Sequence, residues 1–587
     1  MTAMLEPHYR WVFPVPVEVA PDLAAEADRL GLSRRTAAVL AARGVTDGRA
    51  LRAFFAEPVD ALNDPADLPD ADLLRSRIER ARRDGETVIV FGDFDADGLS
   101  GLATMTIALR AIGLRVEPYV PSRLEEGHGL SQRAVDLAAE RGIGLIVTVD
   151  CGSTSVAEIA AAAARGIDVV VTDHHRLPPV LPEAVAIVNP HRADSRYPDD
   201  RLSGAGVAFA VARLLLAGEP GGEELALSLA ETAVIGTVSD IAPIVGENRA
   251  IARLGLARIR AGARPGIAAL LARAGVAPTS VDLETVAFSI APRLNAAGRV
   301  GDPLEAARLL LTEDPEEAAT LAERLESTNL ARRELTATAV EEAARAAEGA
   351  DPASPIVMVR GPWPVGVIGL VAARLSEERG RPAIVGADLD GVIRASCRSD
   401  GALDLAAALE ACGDLLVQHG GHAGAAGFEV ETDRWEALRI RLEALAGGTA
   451  PADLGPELHL DLALPAGEVD YPLLRELARL EPTGTGNPEP LVGVLGATVV
   501  RVRAANGGHT QLTLRRDRDV VDAIAFDRAD LAESVAEGDR IDVVATLASR
   551  TFGGFESLQL EVRDAAPCGS HPEAADILGL VAVGAGR

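Results

Sequence analysis

Between residues 87 and 188 short β-branched apolar runs alternate with stretches of helical character, and polar residues close most of the runs. Thr87-Val88-Ile89-Val90-Phe91-Gly92 leads into Asp93-Phe94-Asp95-Ala96-Asp97-Gly98, and a Gly/Ala-rich helix is expected from Gly98 to residue 112. A second strand is expected at 114–119, after which a helix covers 131–141. The run 144–149 ends in Asp150-Cys151-Gly152, and the run 167–172 ends in Asp173-His174-His175. A last run, 184–188, stops at Asn189-Pro190. Strands joined by helices of this length predict a parallel sheet with helices on both faces. Such a sheet offers its ligand site at the carboxyl ends of its strands, so the three chemistry-bearing segments converge on one edge.

The convergence has an electrostatic consequence. At about 4 Å and an effective dielectric near 20, each pair of like-charged carboxylates costs roughly 4 kcal/mol. A cation removes that cost, so Asp-x-Asp-x-Asp at a strand end suggests a hard-metal site, with a solvated polar turn as the plain alternative. A lone Asp after a strand is usually a helix cap, and a lone His-His pair is more often surface or satisfied core than a ligand. Acids and imidazole arriving together are harder to explain that way. Asp240, which ends the apolar run 232–239, makes a fourth candidate after these three segments. Mixed oxygen and nitrogen donors favour Mn²⁺ or Mg²⁺ over a thiolate-held zinc.

A chain of 587 residues is too long for one core, so several domains are expected. Four scattered cysteines form neither a disulfide framework nor a Cys-x-x-Cys zinc site. No apolar run is long enough to cross a membrane, and Met1 to Arg10 lacks a basic-then-apolar leader. A reducing cytoplasm is the expected compartment. The net charge of −30 argues against whole-surface binding of nucleic acid but leaves room for a local groove. The chain has no lysine, and its 57 arginines are side chains suited to forked phosphate contacts.

Gly92-Asp93-Phe94-Asp95-Ala96-Asp97-Gly98, Val149-Asp150-Cys151-Gly152, Thr172-Asp173-His174-His175 and Gly236-Thr237-Val238-Ser239-Asp240 resemble, in order, the four motifs of the DHH phosphoesterases. The segments 121–130 and 291–299 resemble the RecJ branch of that family, although His128 stands where RecJ chains usually carry Tyr. The resemblance implies Asp95, Asp97, Asp150, His174 and Asp240 as ligands of two divalent cations, Mn²⁺ or Mg²⁺, with Asp150 bridging them. It places His175 with the catalytic set, and Asp93 and Asp173 in supporting roles around it. Many DHH proteins carry a His four residues before the first ligand Asp; Phe91 stands there, which implies a weaker hold on one ion.

Downstream, 315–348 reads as one uninterrupted helix of about thirty residues connecting two domains. A second α/β unit starts near 355 and carries Arg394-Ala395-Ser396-Cys397-Arg398-Ser399 and the glycine-rich Gly420-Gly421-His422-Ala423-Gly424. Closely spaced glycines let backbone N–H groups approach an anion. Together these resemble a DHHA1 substrate domain, in which Gly421, His422, Ser396 and Arg398 would hold phosphates beside Arg123, Asn295 and Arg299. Trp363-Pro364 departs from the Trp-His-Pro-Gly usual in RecJ, and Trp363 and Arg374 are expected to pack or pair locally. From residue 460 five short strands with Gly/Asn turns suggest an OB-type barrel. Arg501, Arg503, Arg515, Arg516 and Arg518 could line its groove, with Phe526, Phe552 and Phe555 as stacking surfaces.

The expected architecture is therefore multidomain α/β. A helical lead-in (1–70) precedes a parallel-sheet DHH domain (71–312), a connecting helix (313–350) and a smaller α/β DHHA1 domain (351–450). An OB-type β-barrel (451–566) and a disordered tail (567–587) follow. The resemblance implies a 5′→3′ exonuclease specific for single-stranded DNA, releasing mononucleotides in repair and recombination. It also implies a monomer, working with a single-strand-binding protein and a recombination helicase and with no membrane partner. A nano-RNase or small-nucleotide phosphatase, or a non-catalytic nucleic-acid-binding scaffold, is the alternative. The barrel disfavours the first pair, and the full ligand set disfavours the scaffold.

Overall fold

A computed structural model describes residues 5–123, 125–349, 354–399, 401–447, 456–552 and 555–574. The chain forms two compact units, one of residues 61–242 and 247–451 and one of 1–60, 243–246 and 452–587.

In the first unit, strands β1 (Thr87–Gly92), β2 (Arg115–Tyr119), β3 (Leu145–Val149), β4 (Asp168–Thr172) and β5 (Ala186–Val188) make an all-parallel sheet in the order β2-β1-β3-β4-β5. Strands β1, β3 and β4 are buried on both faces, as crossover helices require. Ile89, Phe91, Ile146, Val169 and Val171 share a core with the helices Gln132–Arg141 and Val156–Ala163. The opposite face meets α1 (Ala96–Ala111) and α2 (Gly204–Leu216), where Gly101 lets α1 approach Val149. Strand order reverses between β1 and β3, and a doubly wound sheet opens its crevice at that point.

The helix α1 begins two residues before the expected start. Asp95 caps it, its Oδ1 accepting from the backbone N–H groups of Asp97 and Gly98 at 3.0 Å each. The run before Asp240 is helical, α3 (Ala230–Ser239), so this acid arrives at a helix end while the other candidates follow strands. Helix α4 (Ala291–Val300) follows, and α5 (Pro315–Glu348) runs 34 residues, about 51 Å. Its first half buries Leu321 and Leu325. Its second half sets Ala339 and Ala343 against α6 (Val365–Arg379).

The second sheet contains β6 (Val357–Gly361), β7 (Ala383–Asp388), β8 (Val392–Arg398), β9 (Leu416–Gly421) and β10 (Ala425–Glu431), in the order β9-β10-β8-β7-β6. Trp363 is buried and donates from Nε1 to Glu342 at 2.9 Å, while Arg374 pairs with Glu378 at 2.8 Å.

The other unit holds a closed barrel. Strands β11 (Leu462–Pro465), β12 (Val492–Ala505), β13 (His509–Arg516), β14 (Asp519–Ala525), β15 (Arg540–Phe552) and β16 (Phe555–Pro567) form one sheet, closed because β12 pairs with both β13 and β15. One strand more is present than expected, and the stretch before β12 also contains a helix, Tyr471–Ala478. Leu23, Leu40 and Leu51 of the N-terminal helices share a core with Leu512, Leu514 and Leu560 of the barrel. The expected disordered tail is corrected over 568–574. There His571 stacks on Trp11 with ring centroids 4.4 Å apart, and Ala574 packs beside Leu495. Residues 575–587 lie outside the described residues.

Candidate metal and phosphate site

Register brings the acids together before any side chain is considered. Gly92 pairs with Val149 and Val149 with Thr172, and each ladder continues one residue further. Asp93 N–H donates to the Val149 carbonyl at 3.3 Å, Asp150 N–H to Thr172 at 3.0 Å, and Asp173 N–H to Val188 at 3.0 Å. Three acids therefore stand abreast at the edge. Asp97 is fixed from the other side, its two oxygens accepting from Gly204 and Ala205 N–H at the start of α2, at 2.7 and 2.8 Å. Glycines make this crowding possible. A Cβ on Gly204 would lie 2.4 Å from the Asp150 carboxylate, and one on Gly236 would lie 2.3 Å from Asp97 Oδ1.

His174 enters the same space. Its Nε2 lies 3.1 Å from Asp150 Oδ1 and 3.8 Å from Asp97 Oδ2, and its Nδ1 lies 3.8 Å from Asp240 Oδ2. Three donor groups result: Asp150 with His174 and His175, Asp97 with His174 and Asp240, and Asp93 with Asp95 and Asp150. Asp150 belongs to two of them. Asp93 stands as near the others as the expected ligands do, while its Oδ2 meets His128 Nδ1 at 3.1 Å. Phe91 supplies no donor; its ring is fully buried and stacked on Tyr119 at 5.4 Å.

The electrostatics fit a cation. Burial first, then the neighbouring acids Asp97 and Asp95, pushes the Asp150 carboxyl well above the ordinary range. Asp95 is raised by burial and Asp93. Asp97 is raised chiefly by burial, with His174 opposing. Asp240 is pushed up to about 6 by burial and Asp97. Asp93 Oδ1, Asp150 Oδ1 and His174 Nε2 are buried without a hydrogen-bond partner. An unsatisfied buried polar group costs about 1–3 kcal/mol, and two cations, one in the Asp93 group and one in the His174 group with Asp150 common to both, would satisfy these atoms. Cys151, whose thiol burial holds far above its usual range, offers no thiolate. The donor set is that of Mn²⁺ or Mg²⁺.

Asp173 acts on His175. Burial would raise its carboxyl, but the His175 ring, whose Nδ1 lies 2.8 Å away, and the Ser153 N–H at 3.1 Å hold it below the usual range. In return the Asp173 hydrogen bond lifts His175 to about 9.

Beside the acids lies a cluster of arginines. Arg299 is pushed down to about 10 by burial and by the charges of Arg123, Arg332 and Arg398. Arg123 lies 5.0 Å over the Phe94 ring, and Arg398 Nη1 donates to the Cys397 carbonyl at 2.8 Å and to Ser396 Oγ at 3.3 Å. Opposed guanidiniums of this kind are what a phosphate stabilises. Sheet register sets Ser396 opposite Gly427 and Arg398 opposite Ala425, which brings the Gly421-His422 turn alongside them. His422 is near enough to Asp240 to oppose its upward shift. Asn295 is engaged at both ends of its amide: Oδ1 accepts from Ala96 N–H at 2.8 Å, and Nδ2 donates to Ser239 Oγ at 3.3 Å. Sequence reasoning missed Arg332, on α5, because no motif marks one arginine among many on a long helix.

On the barrel Arg501, Arg503, Arg515 and Arg518 are exposed, whereas Arg516 is tied to the Val469 carbonyl. Phe526 is half exposed and meets the His509 ring edge-on at 5.2 Å. The side chains of Phe552 and Phe555 lie outside the described residues.

Comparison with known proteins agrees over most of the chain. Residues 87–237 match the DHH family N-terminal domain, 354–447 the DHHA1 domain and 460–564 the RecJ OB domain. The chain is 34% identical over 570 residues to the single-stranded-DNA-specific exonuclease RecJ of Bacillus subtilis, covering 96% of this chain and 71% of the relative. The crystal structure of Thermus thermophilus RecJ in complex with Mn²⁺ superposes with a TM-score of 0.80 at 30% identity, over 96% of this chain and 80% of that one. The same protein in complex with Mg²⁺ gives a TM-score of 0.75 at 29% identity over the same shares.

Proposed function

The chain belongs to the RecJ family of DHH phosphoesterases, and on that premise we propose a metal-dependent exonuclease that degrades single-stranded DNA from the 5′ end and releases mononucleotides. One observation carries the reading: the unpartnered, facing donors of Asp150 and His174 lie beside a cluster of mutually repelling arginines. Asp95, Asp97, Asp150, His174 and Asp240 would hold two divalent cations. Bound there, the cations would supply charge neutralisation at the scissile phosphate and activation of water.

The protein groups do the rest. Arg123, Arg299 and Arg398, with Ser396 Oγ and the Gly421-His422 turn, orient the terminal and scissile phosphates. Asn295 serves this grip indirectly, by fixing the start of α1 and hence Asp95 and Asp97. Asp173 holds His175 in one orientation through the 2.8 Å contact at Nδ1, which leaves Nε2 to face the reaction centre. The exposed barrel arginines Arg501, Arg503, Arg515 and Arg518 would bind the backbone of the single strand. We place the enzyme in the cytoplasm as a monomer, handed its substrate with a single-strand-binding protein and a recombination helicase, on the strength of the family resemblance. The test is digestion of end-labelled single strands with Mn²⁺: mononucleotides released from the 5′ end support the reading. An intact oligonucleotide alongside hydrolysed dinucleotides would replace it with a small-substrate phosphatase.

A further inference from the structure

We propose that Ile241 is a nucleotide-contacting residue at the edge of this centre, its apolar side chain held toward a nucleobase by a strained helix end. The proposal rests on the reading that the centre cleaves single-stranded DNA.

The strain is specific. Past Asp240 the end of α3 is closed by two backbone bonds, Ile241 N–H to the Val238 carbonyl and Ala242 N–H to the Thr237 carbonyl, both 3.1 Å. This is the Schellman arrangement, in which the residue after the cap turns left-handed and is usually glycine. Here it is isoleucine at φ 57°. A β-branched residue in that region is a genuine outlier. Among the described residues, the other non-glycine positions with positive φ are all aspartates, which tolerate the conformation. Packing does not compensate Ile241, whose surface is 70% exposed. Glycine would remove the strain, and the apolar branch brings no core contact in exchange. Strain of this kind persists where the side chain serves a site.

Position says which site. Ile241 directly follows Asp240, whose carboxylate approaches His174 and feels His422 of the glycine-rich turn. An apolar surface at this point suits the face of a base. Every base presents such a face, so the contact adds grip without sequence preference. The base belongs to the 5′-terminal nucleotide, whose phosphate the arginines hold.

Ile241→Gly removes strain and contact together, and Ile241→Val retains the branched surface. The melting temperature of the full-length protein is measured, with kcat/KM on a 5′-labelled single strand in Mn²⁺. Ile241→Gly should melt about 2 °C higher than the parent and lose about tenfold or more in kcat/KM. Ile241→Val should stay within about threefold. On an oligonucleotide whose 5′-terminal nucleotide is abasic, the gap between parent and glycine variant should close. A glycine variant that melts higher but cleaves the intact strand like the parent overturns the contact, and one that melts lower overturns the strain. A gap undiminished on the abasic strand overturns the base as partner. A parent enzyme inert on single-stranded DNA instead overturns the functional reading on which the proposal stands.

Discussion

His174 Nε2 and Asp150 Oδ1 face each other at 3.1 Å in the interior of the protein, and no hydrogen bond joins them. Two donors at that distance with no shared proton are complementary to a cation. Asp150→Asn removes one of the crowded charges, so the metal-free variant should melt above the metal-free parent. It should also lose the stabilisation that Mn²⁺ gives the parent, about 2.7 kcal/mol at a concentration 100 times the dissociation constant. Thermal melts with EDTA and with Mn²⁺ read both effects.

Proton competition should accompany metal binding. The Asp240 carboxyl is raised to about 6 from an ordinary 3.8, so between those values the folded protein holds a proton that the unfolded chain has released. The slope of stability with pH follows the unfolded-minus-folded proton count. This group therefore makes the metal-free protein less stable as pH rises from about 4 to about 6. Asp95, Asp97 and Asp150 act in the same direction. Mn²⁺ needs the deprotonated forms, so its stabilising effect should be larger at pH 7 than at pH 5. Equal melting shifts at the two values would show that these carboxyls are ordinary.

The arginine cluster predicts dependence on the terminal phosphate. Arg299 is repelled by three guanidiniums and relieved by an anion, and charged hydrogen bonds contribute about 1.5–3 kcal/mol. Arg299→Ala should raise KM about 10- to 100-fold on a 5′-phosphorylated strand and much less on a 5′-hydroxyl strand. Arg332→Ala should show the same preference at smaller size. Steady-state kinetics on the two substrates separates this from loss of fold.

The barrel offers an independent control. Asp564 is fully buried and accepts from Trp11 Nε1 and Arg528 Nη1 at 2.8 Å each, and from the His8 and Tyr9 N–H groups at 3.1 Å. Asp564→Ala leaves Arg528 without its buried partner and should destabilise this unit by about 3–5 kcal/mol. The Mn²⁺ affinity of the other unit should not change. Denaturant unfolding and metal titration of the same variant test both halves.

What could be read from the sequence follows from which forces are local. Strands 87–92, 145–149 and 168–172 announce themselves through β-branched residues, and the acids and histidines at their ends follow from the parallel connection. The 34-residue helix was legible because neither Gly nor Pro interrupts it after the first turn. The run 232–239 was ambiguous, since a fully buried helix and a buried strand share the same apolar text; only packing against α1 and α2 decides it. Long-range relations left no local mark. The N-terminal leucines share the barrel core from more than 400 positions away, and His571 is ordered by Trp11 from the opposite end of the chain. Arg332 was hidden for the same reason, because its relation to Arg299 exists only once α5 is laid down beside α4.

The central claim is that the converging strand-end carboxylates hold the cations for cleavage of single-stranded DNA from the 5′ end. The most direct measurement follows a single-stranded and a duplex oligonucleotide, each labelled at the 5′ end, with Mn²⁺ and either the parent protein or Asp150→Ala. Labelled mononucleotide is expected from the single strand at once, with little from the blunt duplex and a loss exceeding about 100-fold in the variant. Equal digestion of the two substrates, label released last, or an active Asp150→Ala enzyme would contradict it.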